Sequence, residues 1–249
     1  MKATLGTSLV KKTNQPPVHH LAIGNILKLS YPELELLVIE DYSMPLVTCI
    51  MPTANRPEFI PLAIKYFLEQ DYPFKELVII DDGEHPVSHL VPNLYSIRYF
   101  YSDKVSTIGE KRNKACEKAA GSIIVHWDDD DWYAADWITR QVDTLITTEA
   151  DICGLNDIQF YCLLNNKSWV AKKKGSKKPW LSGATLAYRK SFWNMYPFKN
   201  LQIGEDEVFV RNNNAKIYAH DYYQGFIAVI HNKNTRIKEF EDPKNSIQN

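Results

Sequence analysis

"SIIVHWDDDDWY", residues 122–133, is the stretch whose reading decides the fold. Its first half is a short β-branched apolar run that predicts a buried strand, and four carboxylates follow at once. In open α/β sheets, ligands gather outside the carboxyl ends of the strands. Crowded carboxylates repel one another, so an acidic run between Trp127 and Trp132 asks for something to hold. The plain structural alternative is a solvated acidic turn that caps a helix from Asp136.

Working outward, the same strand-and-helix alternation recurs. "PLVTCIMPT" (45–53), "KELVIIDDG" (75–83) and "SIRYFYSD" (96–103) read as strands. Between the first two, residues 56–73 predict a helix, with Pro57 in its first turn and Phe59, Leu62, Ala63, Tyr66 and Phe67 at helical spacing. "TIGEKRNKACEKAAG" (107–121) predicts a second helix. Thr107 and Glu110 have capping-box spacing, and Gly121 suits the C′ position. Downstream, 136–147 reads as a helix, 150–161 as one strand, and the basic stretch 165–179 as a mobile loop. "SGATLAYRKSFW", "GEDEVFVRNNN" and "GFIAVIHNKNT" follow, the last an apolar strand ending at His231. Residues 1–44 do not join the pattern, although "HHLAIGNILKL" suits a helix and "ELELLVIE" a strand or helix.

Three predicted strands thus deliver polar residues to one edge: Thr53 and Arg56, then Asp81 and Asp82, then the aspartates at 128–131. Asp128 and Asp130, two residues apart, can reach a single point. A divalent cation removes the cost of holding two like charges together, and oxygen-only ligands suit Mg²⁺ or Mn²⁺. Such ions keep positions open for phosphate oxygens, which suggests that a diphosphate is handled here.

Composition narrows the classes further. Apolar residues are 45% and charged residues 24% of the 249, with a formal net charge of -1, so no overall field favours nucleic acid. Cys49, Cys116, Cys153 and Cys162 form no CxxC pair and read as reduced packing residues. No signal-peptide core and no membrane-spanning apolar stretch is seen. The expected location is cytoplasmic, either free or peripheral at the inner face of a membrane.

"PTANRP", "VIIDDG", "GEKRN", "WDDDDW", "SGATLAYRKSFW", "GEDEVF" and "HNKNT" occur in the order found in the inverting family 2 glycosyltransferases, which this sequence resembles. The order of the segments carries the resemblance, since aspartate strings alone occur by chance. It implies an α/β fold of GT-A type, a single domain with a Rossmann-like, mostly parallel central sheet flanked by helices. The catalytic domain would span 45–235, between an extension of unknown role (1–44) and a tail (236–249). The implied activity moves a sugar from a nucleoside-diphosphate donor, UDP-sugars favoured, to a hydroxyl of a glycan or lipid-linked acceptor.

Residue by residue, the resemblance implies that Thr53, Arg56, Asp82, Arg112, Asp128 and Asp129 bind the donor, with Asp82 accepting a hydrogen bond from the base ring. Asp130 and His231 would hold Mn²⁺ or Mg²⁺, the register within the aspartate string being uncertain by one. Asp206, with Glu205 beside it, would be the general base. Asp81 would support its turn and His126 would be structural. Against these stand plainer readings: Asp206 as a helix-start acid, Arg112 as a solvated helix charge, His231 as a packing residue. Lysines 167, 172, 173, 174, 177 and 178 suit a solvated loop, a lid over the diphosphate, or a patch meeting an anionic acceptor. Trp132 and Trp180 suit sugar stacking or packing.

Other functions fit less well. A nucleotidyltransferase would carry a glycine-rich phosphate loop after the first strand, and "PTANRPEF" has no glycine. A degenerate binding module is open, although every expected carboxylate is present. A calcium loop of EF-hand type lacks its spaced ligands and glycine.

Overall fold

A computed structural model describes residues 44–172 and 179–234. The expectations for residues 1–43 and for the tail beyond 234 lie outside the described residues, as do those for lysines 173, 174, 177 and 178.

Strands β1 (Val47–Thr53), β2 (Lys75–Asp81), β3 (Ile97–Tyr101) and β4 (Ile123–His126) form the heart of a seven-stranded sheet. They are joined by helices α1 (Ile60–Leu68) and α2 (Ile108–Lys118). The two-residue β5 (Trp132–Tyr133) and helix α3 (Trp137–Thr148) follow the acidic run. Next come β6 (Ile152–Leu155), β7 (Ile158–Cys162), β8 (Lys167–Ala171), β9 (Ala187–Arg189), α4 (Lys190–Met195), α5 (Glu205–Val210), β10 (Ile217–His220) and β11 (Phe226–Ile230). The large sheet runs β10-β6-β9-β4-β1-β2-β3, parallel except where β9 pairs antiparallel with β4 and β6.

Every residue of β1 is buried, which is why its sequence is mostly apolar rather than alternating, its two threonine hydroxyls bonding Glu76 and Asp129. The register sets the site. Thr53 pairs with Asp81, and His126 with Ile50. Continuing that parallel register three residues past His126 brings Asp129 level with Thr53. One side of the sheet packs against α2, α4 and α5 through Ile50, Val78, Ile124, Tyr188, Phe192, Phe198 and Phe209. Helix α2 starts on the predicted capping box: Glu110 N–H donates to Thr107 Oγ1 at 3.2 Å, and Thr107 N–H to Glu110 Oε2 at 2.9 Å.

Four expectations are corrected. Residues 150–161 are two strands, β6 and β7, because the chain leaves the large sheet after Leu155. β7 joins a second, four-stranded sheet of order β5-β11-β7-β8, which also takes up the final apolar strand. The stretch 165–179 is a strand, β8, over Lys167–Ala171, held antiparallel to β7 with Trp169 stacked on Phe160. Helix α1 begins at Ile60, after Pro57, and Pro61 takes the first-turn position. Gly121 is not a C′ residue of α2, whose C-cap is Ala119; an added Cβ there would sit 2.6 Å from Leu46 O and Thr48 N. All four cysteines are buried and free. Among the described residues no helix is long and apolar enough to cross a membrane.

Candidate active site

The acidic run leaves the end of β4 and is divided by its surroundings. Asp129 points inward, where Thr53 Oγ1 donates to its Oδ2 at 2.5 Å. Its Oδ1 lies 2.8 Å from Arg56 Nη2 without a well-aligned hydrogen bond, so that contact is mainly ionic. Burial, and then the charges of Asp130 and Asp128, push the Asp129 carboxyl up to about 7 despite Arg56 and Thr53. Asp131 is also spent on structure: its Oδ1 accepts the Val229 N–H of β11 at 2.8 Å. Asp128 and Asp130 remain half-buried at the surface of the run.

Asp130 Oδ2 is a meeting point. Arg56 Nη1 donates to it at 2.8 Å, His231 Nε2 lies at 2.9 Å and Asn234 Nδ2 at 3.1 Å. Lys233 N–H donates to His231 Nδ1 at 3.0 Å, so in the neutral ring Nε2 carries the proton and donates to Asp130. The His231 ring stacks on Phe59 with centroids 4.4 Å apart, and Lys233 pairs with Glu58. The turn after β11 is therefore tied to the loop after β1 and to the acidic run together.

Asp81 supports its turn, accepting from Gly83 N–H at 2.9 Å and from Tyr99 Oη at 2.6 Å. Asp82 accepts from Ser106 N–H at 2.7 Å and pairs with the buried Lys111 at 2.7 Å. Arg112 is neither solvated nor open to the cleft. It is 5% exposed, its Nη1 bonds Glu205 Oε1 at 2.5 Å, and its Nη2 lies 3.9 Å from Asp128 Oδ1. Burial opposes its charge, but Glu205, Asp128 and Asp206 outweigh that and raise its pKa. Burial raises Glu205 as well, reinforced by the charges of Asp206 and Asp128 and opposed by Arg112.

Asp206 sits in the first turn of α5, half-buried, with Oδ1 accepting from Glu207 N–H at 2.8 Å. Its carboxylate occupies space that only a glycine at 183 leaves free: a Cβ on Gly183 would fall 1.9 Å from Asp206 Oδ2. Gly183 is itself fixed, its carbonyl accepting from His126 Nδ1 at 2.5 Å. Burial holds His126 well below its ordinary pKa, which keeps it neutral and in the structural role expected.

Beside Arg56 a cleft of about 360 Å³ is lined by Pro52, Ala54, Asn55, Ile108, Lys111, Gln202 and Lys233. Its charged lining is cationic throughout. The neighbouring acidic region has the opposite excess, since Asp128, Asp129, Asp130, Asp131, Glu205 and Asp206 outnumber Arg56 and Arg112. Carboxylate oxygens of Asp128, Asp130 and Asp131 lie within 4.8 Å of one another. That donor set fits a hard, oxygen-ligated cation such as Mg²⁺ or Mn²⁺, whose ligands stand about 2–2.2 Å from the ion.

Sequence reasoning missed Lys111, Gly183 and Asn234. Lys111 was legible, because it lies three residues after Ile108 and four before Ala115, on the buried face of α2. Gly183 and Asn234 carry no local signal; their partners are 23 and 104 residues away in sequence.

The model of the family described as Glycosyl transferase family 2 matches residues 48–195. Among solved structures, TarS of S. aureus in complex with UDP-GlcNAc superimposes with a TM-score of 0.59 at 18% identity, covering 76% of this chain and 60% of that one. The mannosyltransferase PcManGT from Pyrobaculum calidifontis, in complex with GDP-Man and Mn²⁺, gives 0.58 at 18% identity, covering 75% and 56%. The chain thus spans less than two thirds of these neighbours. No curated protein sequence matches it.

Proposed function

The chain belongs to glycosyl transferase family 2, and on that premise we propose that it transfers a sugar, with inversion, from a nucleoside-diphosphate donor to a hydroxyl acceptor on a glycan or lipid-linked molecule. Residues 45–235 form the catalytic domain in this reading. The observation that carries it is the pairing of opposites at one sheet edge: a cationic cleft beside a surplus of carboxylates. The first suits a nucleotide and its phosphates, and the second suits the cation that accompanies them. A UDP-sugar is the favoured donor; the neighbours named above bind UDP-GlcNAc and GDP-Man.

Asp128 and Asp130 would hold Mn²⁺ or Mg²⁺, with Asp131 the neighbouring carboxylate; His231, whose Nε2 donates to Asp130, would join them only by giving up that hydrogen bond and its Nε2 proton. When bound, the ion supplies charge stabilisation to the departing diphosphate. Thr53 and Arg56 fix Asp129 behind this pair, so that the run keeps its shape under mutual repulsion. Asp206 takes the acceptor hydroxyl's proton as it attacks, a contribution typically worth ~10²–10⁴-fold. Arg112 links the two halves, bonding Glu205 next to the base and facing Asp128 beside the donor. Direct attack opposite the leaving group needs no enzyme nucleophile.

Thermal melting with UDP or GDP and Mn²⁺, Mg²⁺ or EDTA tests the reading. One nucleoside diphosphate should raise the melting temperature with metal and lose that effect in EDTA and in Asp130→Ala. A stabilisation indifferent to metal and to Asp130 would refute the clamp.

A further inference from the structure

Resting on that glycosyltransferase reading, the contacts of Arg56 describe a residue placed between two partners. Its Nη1 donates to Asp130 Oδ2 at 2.8 Å, and its Nη2 stands 2.8 Å from Asp129 Oδ1. One guanidinium thus bridges two carboxylates, with side chains 13% exposed for Arg56, 0% for Asp129 and 9% for Asp130. Burial opposes the charge of Arg56, but Asp129, Asp130, Asp128 and Asp131 outweigh it and raise the pKa, so all four carboxylates act on this cation. Arg112 is committed elsewhere, bonded to Glu205 and 3.9 Å from Asp128. The two ends of the bridge differ. Asp129 is closed off, its Oδ2 held by Thr53 at 2.5 Å. Asp130 belongs to the carboxylates whose oxygens converge within 4.8 Å, and Arg56 itself lines the cationic cleft. A metal ion and a guanidinium are like charges competing for Asp130. A phosphate oxygen in the cleft offers Nη1 a charged acceptor of the kind it would leave.

We infer that Arg56 is an exchangeable counter-cation: it neutralises Asp130, and on donor binding it keeps Asp129, yields Asp130 to the metal and turns Nη1 to the diphosphate. Metal and nucleotide binding are coupled through this one side chain. With metal alone, the Arg56–Asp130 bond is lost and the freed N–H gains no acceptor. With a diphosphate present, one charged hydrogen bond replaces another.

The test compares wild type with Arg56→Gln in two titrations: Mn²⁺ alone, followed by the paramagnetic resonance of the free ion, and UDP or GDP at saturating Mn²⁺, by calorimetry. Freed of the competing charge, Arg56→Gln should bind Mn²⁺ alone about 10-fold more tightly. Lacking the phosphate contact, it should bind the nucleotide about 10-fold more weakly, the low end for a hydrogen bond to a charged group. The opposite signs are the signature. An unchanged or weaker Mn²⁺ affinity overturns the inference, because Arg56 then serves the donor alone or only shapes the acidic run. An unchanged nucleotide affinity overturns it as well, since Nη1 then never reaches the phosphates. Wild-type crystals grown in EDTA, and with Mn²⁺ and nucleotide, decide the question even if Arg56→Gln does not fold. Nη1 should pass from Asp130 to a diphosphate oxygen, and an Arg56–Asp130 bond kept in the loaded crystal refutes the exchange. Nucleotide binding without any Mn²⁺ binding sinks the inference while leaving the transferase reading intact. If wild type binds neither Mn²⁺ nor a nucleotide, the donor reading falls, and this inference with it.

Discussion

Adding one methyl group at residue 183 should silence the chemistry while leaving the donor site alone. In Gly183→Ala the new Cβ would stand 1.9 Å from Asp206 Oδ2 and 2.7 Å from its Cγ. The Gly183 side cannot yield easily, because its carbonyl is bonded to the buried His126. The Asp206 side chain is half-buried and can swing, so the carboxylate yields first, while its Cβ, 2.9 Å from the new methyl, must shift with the start of α5. Moving from 1.9 Å to the 3.4 Å of ordinary contact displaces it by about 1.5 Å. A misplacement of ~1 Å in a reacting group costs on the order of 10²-fold, so turnover should fall at least that far. The assay is nucleoside diphosphate release from the sugar donor, run beside the nucleotide-and-metal melting shift. Turnover should drop about 100-fold or more with the shift unchanged, and adding Asp206→Asn should cost little further. Wild-type turnover in Gly183→Ala would refute the claim that Asp206 must stand where it does. A parallel loss of nucleotide binding would refute the claim that the effect is local.

Two further predictions concern stability. Asn113 Nδ2 donates to Phe198 O at 2.9 Å, and its Oδ1 accepts from Trp193 Nε1 at 2.9 Å and Phe198 N–H at 3.0 Å. Asn113→Ala strands all three groups and should cost roughly 3 kcal/mol in urea unfolding, whereas Asn113→Asp, which keeps the acceptor, should cost less. Burial lowers His220 to about 4, against 6.5 ordinarily. The folded state therefore binds fewer protons than the unfolded one, and stability is full above pH 6.5 and falls as pH drops towards 4. Allowing for solvent screening at the half-buried ring, this group accounts for roughly 2 kcal/mol of the loss. His220→Phe, packed on Trp137, should lose correspondingly less between pH 7 and pH 4.5; an equal loss would exonerate His220.

Much of this architecture was legible because burial on both faces leaves a plain trace. β1, β2 and β4 each carry a short buried run rich in apolar residues, and each leads into the polar residues that the sheet edge collects. The box of Thr107 and Glu110 is equally local, needing only a three-residue spacing. What was not legible depends on partners far along the chain. Arg56 reads as a donor-binding residue at the sheet edge, but its ion pairs with Asp129 and Asp130, 73 and 74 residues on, leave no trace in the sequence. Arg112 reads as one charge among many on α2 until Glu205 arrives from 93 residues away. The break at Asn156 and Asp157 was missed because two short strands in different sheets look like one longer strand. β8 was missed because Lys167 and the lysines that follow the strand obscure the alternation around Trp169.

The acidic run also joins two sheets, since β4 before it belongs to the large one and β5 after it to the small one. The contacts that shape it are among the longest-range in the chain: Asp131 to Val229 over 98 residues, Asp130 to His231 over 101 and to Asn234 over 104. Contacts of such separation carry the largest loop-closure cost and form late in folding. On the ribosome the aspartates emerge about a hundred residues ahead of the turn that holds them. The large sheet can pair β1, β2, β3 and β4 in that interval, while the four carboxylates wait without their cover. Assembly of this site is thus timed by the arrival of β11, and a chain ending short of Asn234 would keep its parallel strands but have no closed acidic centre.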